Sequence, residues 1–174
     1  DDARLVFNRA FDKRPDLIVR PRDATDVAAA VRWAAERDLP VAVRGGGHGF
    51  AGHGTTDEGV LIDMSAMSAI DIDPGSRTAW AQAGATAGPY TEAAGAHGLA
   101  TGFGDSGDVG LAGLTLGGGI GFLVRRHGLT IDSLLAAEIV TADGEIRTVD
   151  ADREPDLFWA LRGGGGNFGV VTRL

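Results

Sequence analysis

Apolar and polar positions recur along the chain with the periods of regular structure. Leu17-Ile18-Val19-Arg20 is a short apolar run stopped by Pro21, which reads as a strand. Asp23-Ala24-Thr25-Asp26 offers an N-cap signature. Val27, Val31 and Ala34 then share one helical face of a segment that runs to Arg37, so an amphipathic helix is predicted there. Pro40 closes it, and Val41-Ala42-Val43 leads as a second strand into Arg44-Gly45-Gly46-Gly47-His48. Strand, helix and strand in that order predict a right-handed crossover with parallel strands. Val60-Leu61-Ile62-Asp63 reads as a third strand.

Near Ser65 the pattern changes to hairpins and short helices, which places a boundary between a first lobe (1–64) and a second (65–174). Ala69 to Asp73 and Thr78 to Gln82 flank Pro74-Gly75, a hairpin by turn chemistry. Thr86 to His97 is an alanine-rich helix ended by Gly98. Leu134 to Thr141 and Ile146 to Val149 bracket Ala142-Asp143-Gly144, a second hairpin signal. Asp152 to Leu161 reads as a short helix with Pro155 in its first turn, and Phe168 to Leu174 as a last strand. The predicted class is α+β: a parallel βαβ lobe, then a lobe with a mainly antiparallel sheet and flanking helices. Trp33, Trp80 and Trp159 are expected to fill core or lobe interface.

Composition narrows the function. The 174 residues, 44% hydrophobic and 23% charged, suit a globular domain with a sizeable core. A net charge of −8 argues against a nucleic-acid or anionic-membrane binder, and no apolar run approaches the roughly 18 residues needed to span a bilayer. The chain has no cysteine, which excludes disulfides, thiolate metal sites and a cysteine nucleophile. Glycine supplies 28 positions, well above the about 7% of average proteins. It clusters at 44–49, 117–121 and 163–166, between apolar or periodic segments, the distribution expected where backbone must come close to other backbone or to a ligand.

The loop after the second strand carries the most chemistry. Its successive glycines can expose main-chain N–H groups to phosphate oxygens, and Arg44 adds charge or forms a salt bridge elsewhere. A tight structural turn is the competing reading. No Gly-Lys-Ser/Thr follows, so this is not a Walker loop, and the spacing is not the dinucleotide fingerprint. His48 is either a solvated loop histidine or a neutral imidazole acting as nucleophile or base. A His48/His53 metal pair lacks a carboxylate to complete it, so no metal is assigned. Gly110 to Gly121 reads as a helix packed closely on a sheet or as a floor for a flat ligand. Gly163 to Asn167 reads as a long turn in which Asn167 tolerates positive φ. The acidic residues at 105, 108, 143, 150, 152 and 156 read as solvated surface.

Taken together, the segments Arg44–Gly52, Val60–Ser65, Gly113–Gly121, Arg126–Asp132 and Asp156–Val170 resemble the FAD-linked oxidases of the vanillyl-alcohol-oxidase type. Within that group they are most similar to the berberine-bridge-enzyme-like oxidoreductases. The resemblance covers almost the whole chain in the family's order. It implies a two-lobed α+β FAD-binding domain with the cofactor extended between the lobes. The pyrophosphate would lie on Arg44, Gly45, Gly46, Gly47, His48 and Gly49, with Ala51 and Gly52 continuing that segment. His48 matches the histidine that bonds the 8α carbon of the isoalloxazine, adding as a neutral imidazole to a quinone-methide form of the flavin. Gly110, Gly113, Thr115, Gly117, Gly118 and Gly121 would line the flavin and ribityl chain. Asn167, Gly169 and Val170 would lie near the adenine end.

The resemblance also sets limits. Many relatives carry a second, cysteine tether, and counting back from Gly117 places Ser106 at that position. The implied flavin is therefore singly tethered. Val109 matches the position that governs oxygen access in the family, and a compact valine there implies an oxidase; the resemblance as a whole implies an alcohol of a sugar or secondary metabolite as the small-molecule substrate. Tyr90, the only tyrosine, matches no catalytic motif, and the chain stops at Val171-Thr172-Arg173-Leu174 where the parent fold would go on. The expectation is a fragment without the substrate domain or general base, hence without catalytic residues of its own, and with an uncovered face that favours self-association. A module that binds FAD or another nucleotide without a covalent bond is the alternative.

Overall fold

The computed structural model describes residues 2–174. Strand β1 (Leu17–Val19) ends before Pro21, and helix α1 (Ala24–Ala35) starts at Asp23, whose carboxylate accepts hydrogen bonds from the N–H groups of Thr25 and Asp26. That cap satisfies donors that a helix start otherwise leaves unpaired. Strands β2 (Val41–Arg44) and β3 (Val60–Asp63) complete a parallel sheet in the order β1-β3-β2. The predicted direction holds, but β1 and β2 are not neighbours. β3 lies between them, the place suited to a strand whose four residues are all buried.

Strands β4 (Ile70–Asp73) and β5 (Thr78–Ala81) form the predicted hairpin. Asp73 closes its turn by accepting from the main-chain N–H of Gly75 at 2.8 Å and of Ser76 at 3.2 Å. Helices α2 (Ala87–Gly95) and α3 (Leu111–Leu116) follow, then a short helix α4 (Val124–His127) for which the sequence pattern offers no signal. Strands β6 (Ala136–Val140) and β7 (Ile146–Asp150) form the second hairpin; helix α5 (Pro155–Gly164) leads to strand β8 (Val170–Arg173), and the sheet order is β7-β6-β8, antiparallel throughout. Ala81 and Leu174 exchange main-chain hydrogen bonds of 2.8 Å, so β8 also ties the β4–β5 hairpin to this sheet.

Helix α1 is the centre of the packing. Its face of Val27, Ala28, Val31 and Ala34 belongs to one buried cluster with Val60 and Ile62 of the parallel sheet and Val140 and Val170 of the antiparallel one. Burying a side chain such as Val27 contributes about 1.5–3 kcal/mol before entropy is counted. A second cluster sets Phe158 and Leu161 of α5 against Ala137, Ile139 and Val149. No helix among the described residues is long and apolar enough to cross a membrane.

Two expectations are corrected. Trp33 and Trp159 are 39% and 77% exposed. Each stands on the outer face of a helix whose opposite side supplies the core, and Arg37 covers Trp33 at 4.3 Å from its ring centroid; only Trp80 is half-buried, under Arg173. The segment 163–167 is not a long turn. Helix α5 bends at Arg162 and Gly163 and passes into a 3-10 turn over Gly165–Phe168, so the positive φ values fall on Gly163, Gly165 and Gly169 and not on Asn167.

Candidate cofactor site

The site is built where the glycine-rich segments meet. β2 delivers Gly45 to Gly49 at its carboxyl end, the usual ligand side of a parallel sheet. The chain before α3 crosses this loop at Gly110. A Cβ on Gly46 would overlap the amide nitrogen of Gly110 and reach within 2.8 Å of its Cα; one on Gly110 would overlap the amide nitrogen of Gly46. Only glycine at both positions allows backbone to rest on backbone.

Among the described residues, no main-chain N–H of 45–49 donates to a protein acceptor. Gly47, at φ 74°, breaks the extended run, and its carbonyl accepts from the N–H of Phe7 at 3.0 Å. The result is a row of free donors suited to anionic oxygens. Gly49 and Gly113 face open space, with no atom within 4 Å of a Cβ built on either. Donors without acceptors and glycines with open faces fit a nucleotide cofactor laid along this loop.

Arg44 takes the second of its two readings. Its guanidinium is buried and bonded to Asp63 at 2.9 Å and to the Leu5 carbonyl at 3.0 Å, so the side chain braces the base of the loop. Arg20 also reaches Asp63, at 2.8 Å. Burial pushes the Asp63 carboxyl up, but hydrogen bonds from Arg20 and Arg44 outweigh that and hold it below the usual carboxylate range.

His48 is partly buried, with its ring stacked on Phe7 at 4.4 Å between centroids and 17° between planes. Its Nε2 lies 3.2 Å from Oδ2 of Asp108. The other oxygen of that carboxylate accepts from the Ser106 hydroxyl at 2.5 Å. Ser106 foremost, with the main chain and His48, holds the Asp108 carboxyl below its ordinary range. Asp108 is exposed, as read from the sequence, yet it is a partner of His48. No spacing rule connects the two, because only the Gly46–Gly110 crossing brings their segments together.

The remaining candidates divide by place. Ala51 and Gly52 continue the loop, Gly52 at φ 72° over the Phe11 ring; His53 is exposed. Val109 is partly buried beside Gly110, while Thr115 is buried within α3. Gly117 caps α3, Gly118 follows at φ 115°, and Gly121 packs against the Phe103 carbonyl with no room for a side chain. At the far segment Asn167 is exposed and donates to the Gly164 carbonyl at 2.7 Å, Gly169 abuts the Val140 carbonyl, and Val170 is buried in the core.

A family model described as "FAD binding domain" matches residues 15–150. The chain belongs to that family. It is 43% identical to (R)-6-hydroxynicotine oxidase of Paenarthrobacter nicotinovorans over 174 residues, all of this chain and 38% of the relative. The crystal structure of 6-hydroxy-D-nicotine oxidase from Arthrobacter nicotinovorans superposes with a TM-score of 0.97 at 40% identity, over 99% of this chain and 38% of that one. Glucooligosaccharide oxidase from Acremonium strictum, described with a 6-S-cysteinyl, 8α-N1-histidyl FAD, gives a TM-score of 0.93 at 36% identity, over 98% of this chain and 36% of its own. The chain thus spans about two-fifths of the length of these relatives. The resemblance to FAD-linked oxidases and the α+β architecture, a parallel sheet with antiparallel ones, both hold for this FAD-binding domain. Lacking cysteine, it has no residue of its own for a cysteinyl bond.

Proposed function

We propose that this chain is the FAD-binding domain of a covalent flavoprotein oxidoreductase, tethered to FAD through His48. The observation that carries the reading is the free row of N–H groups at 45–49 leading directly to an imidazole held by Phe7 and Asp108. Those N–H groups would donate to the pyrophosphate oxygens, the Arg44–Asp63 pair would keep the loop in shape, and the open faces of Gly49 and Gly113 would let the cofactor lie against backbone. His48 would supply the nucleophilic nitrogen. The remaining candidates would act as assigned by resemblance: Gly110 to Gly121 along the flavin and ribityl chain, Val109 at its oxygen-facing side, Asn167 to Val170 toward the adenine.

Bound FAD would supply two-electron oxidation of an alcohol C–H, with a sugar or secondary metabolite as substrate and O2 as acceptor. Acid precipitation after incubation with FAD tests the tether. Flavin should stay with the precipitated chain and add the cofactor mass, and His48→Ala should release all of it. Flavin released from the wild type on denaturation, or retained by His48→Ala, overturns the assignment.

A further inference from the structure

We infer that Asp108, itself held by Ser106, is a positioning residue for His48: its carboxylate accepts from Nε2–H, keeps the proton on that nitrogen and leaves Nδ1 as the nitrogen able to bond carbon. This rests on the reading that FAD is tethered at His48. The imidazole is fixed on two sides, by the Phe7 ring stacked at 4.4 Å and by the Asp108 carboxylate 3.2 Å from Nε2. The carboxylate is fixed in turn, because its second oxygen is occupied by the Ser106 hydroxyl at 2.5 Å. Gly46 and Gly110, packed backbone on backbone, clamp together the two segments that carry these groups.

The chemistry follows from donor and acceptor rules. A neutral imidazole has one N–H and one lone pair, and the hydrogen bond made by one nitrogen decides which is which. An ionised carboxylate only accepts, so the nitrogen facing Asp108 carries the proton and the lone pair sits on Nδ1. Forming the tether then makes one C–N bond at the 8α carbon. One hydrogen leaves that methyl carbon and one leaves the imidazole, the latter from Nε2 beside Asp108. The two electrons pass through the flavin to O2, which becomes H2O2. Ser106 matters here as the group that aims Asp108.

The test pairs two readouts on the apo protein. In 15N spectra of histidine-labelled protein, His48 should show a protonated Nε2 and a bare Nδ1; Asp108→Ala should mix the tautomers, and Asp108→Asn, whose amide oxygen still accepts, should restore the preference. Incubation with FAD should then give acid-stable flavin about tenfold or more slowly in Asp108→Ala, with its reversible FAD affinity unchanged, and less slowly in Ser106→Ala. A merely structural role would lower affinity and rate together. Tethering at the wild-type rate in Asp108→Ala, with its tautomer unchanged, overturns the proposal alone. Absence of acid-stable flavin in the wild type overturns the tether and the proposal with it.

Discussion

Arg44 and Asp63 form a 2.9 Å ion pair in which the two side chains keep only 9% and 2% of their surface in water. Asp63 is held below the ordinary carboxylate range, burial opposing and the hydrogen bonds of Arg20 and Arg44 prevailing. With its folded pKa depressed, the pair's contribution is complete above the unfolded value of about 3.9 and is lost as pH falls through the lower folded one. Asp63→Asn leaves the Arg44 charge buried without a counter-charge, which costs about 3–5 kcal/mol. Urea unfolding at pH 7 should register that loss, and the variant should show a shallower decline in stability below about pH 4. Stability within about 0.5 kcal/mol of the parent at pH 7 would remove the pair as the brace of the loop.

Glycines in this site divide into those that touch backbone and those that face open space. Gly110→Ala drives a Cβ into the amide of Gly46 and should destabilise by about 1–3 kcal/mol or more. Gly113→Ala meets nothing within 4 Å and replaces a helical glycine, a change that stabilises by up to about 1 kcal/mol. On the proposed reading Gly113→Ala nevertheless lowers FAD retention, since its methyl occupies the cofactor's side. Paired urea melts and flavin-content measurements separate the two effects.

Asp23 caps the helix on which both sheets rest. It accepts from Thr25 and Asp26 at 2.9 and 3.0 Å, and Asp23→Ala should cost about 1 kcal/mol. For a chain of this size that is a fall of about 2–4 °C in Tm, readable by circular dichroism. An unchanged Tm would mean that packing alone sets the start of α1.

Trp159 is open to solvent on α5, and Trp80 is half-buried under Arg173. Iodide should quench the fluorescence of Trp159 strongly and that of Trp80 weakly. Trp159→Phe should remove the most strongly quenched component, leaving the weaker contribution of the 39% exposed Trp33, while changing stability by no more than about 0.5 kcal/mol. Strong protection of Trp159 in the monomer would contradict its exposure.

The local pattern was enough for the elements themselves. Val27, Val31 and Ala34 at helical spacing, Pro74-Gly75 between alternating strands, and Pro155 in the first turn of a helix each express a local backbone preference, and each element formed. Adjacency was not legible in the same way. That β3 divides β1 from β2 depends on which strand buries both faces, a comparison across the whole sheet. Trp33 and Trp159 misled because aromatic size says nothing about which helical face meets the core. Helix α4 left no trace, since four residues carry no period.

For the site, the residues alone determined that glycine-rich backbone and one imidazole lie together at the end of a strand, because those residues are contiguous and their chemistry is local. Tertiary structure decided what surrounds them. Arg44 turned inward because Asp63, on the neighbouring strand, is the counter-charge within reach. Asp108 came to His48 because two glycines distant in sequence let their chains touch. Contacts of that kind depend on the distance between segments in space, which no spacing along the chain encodes.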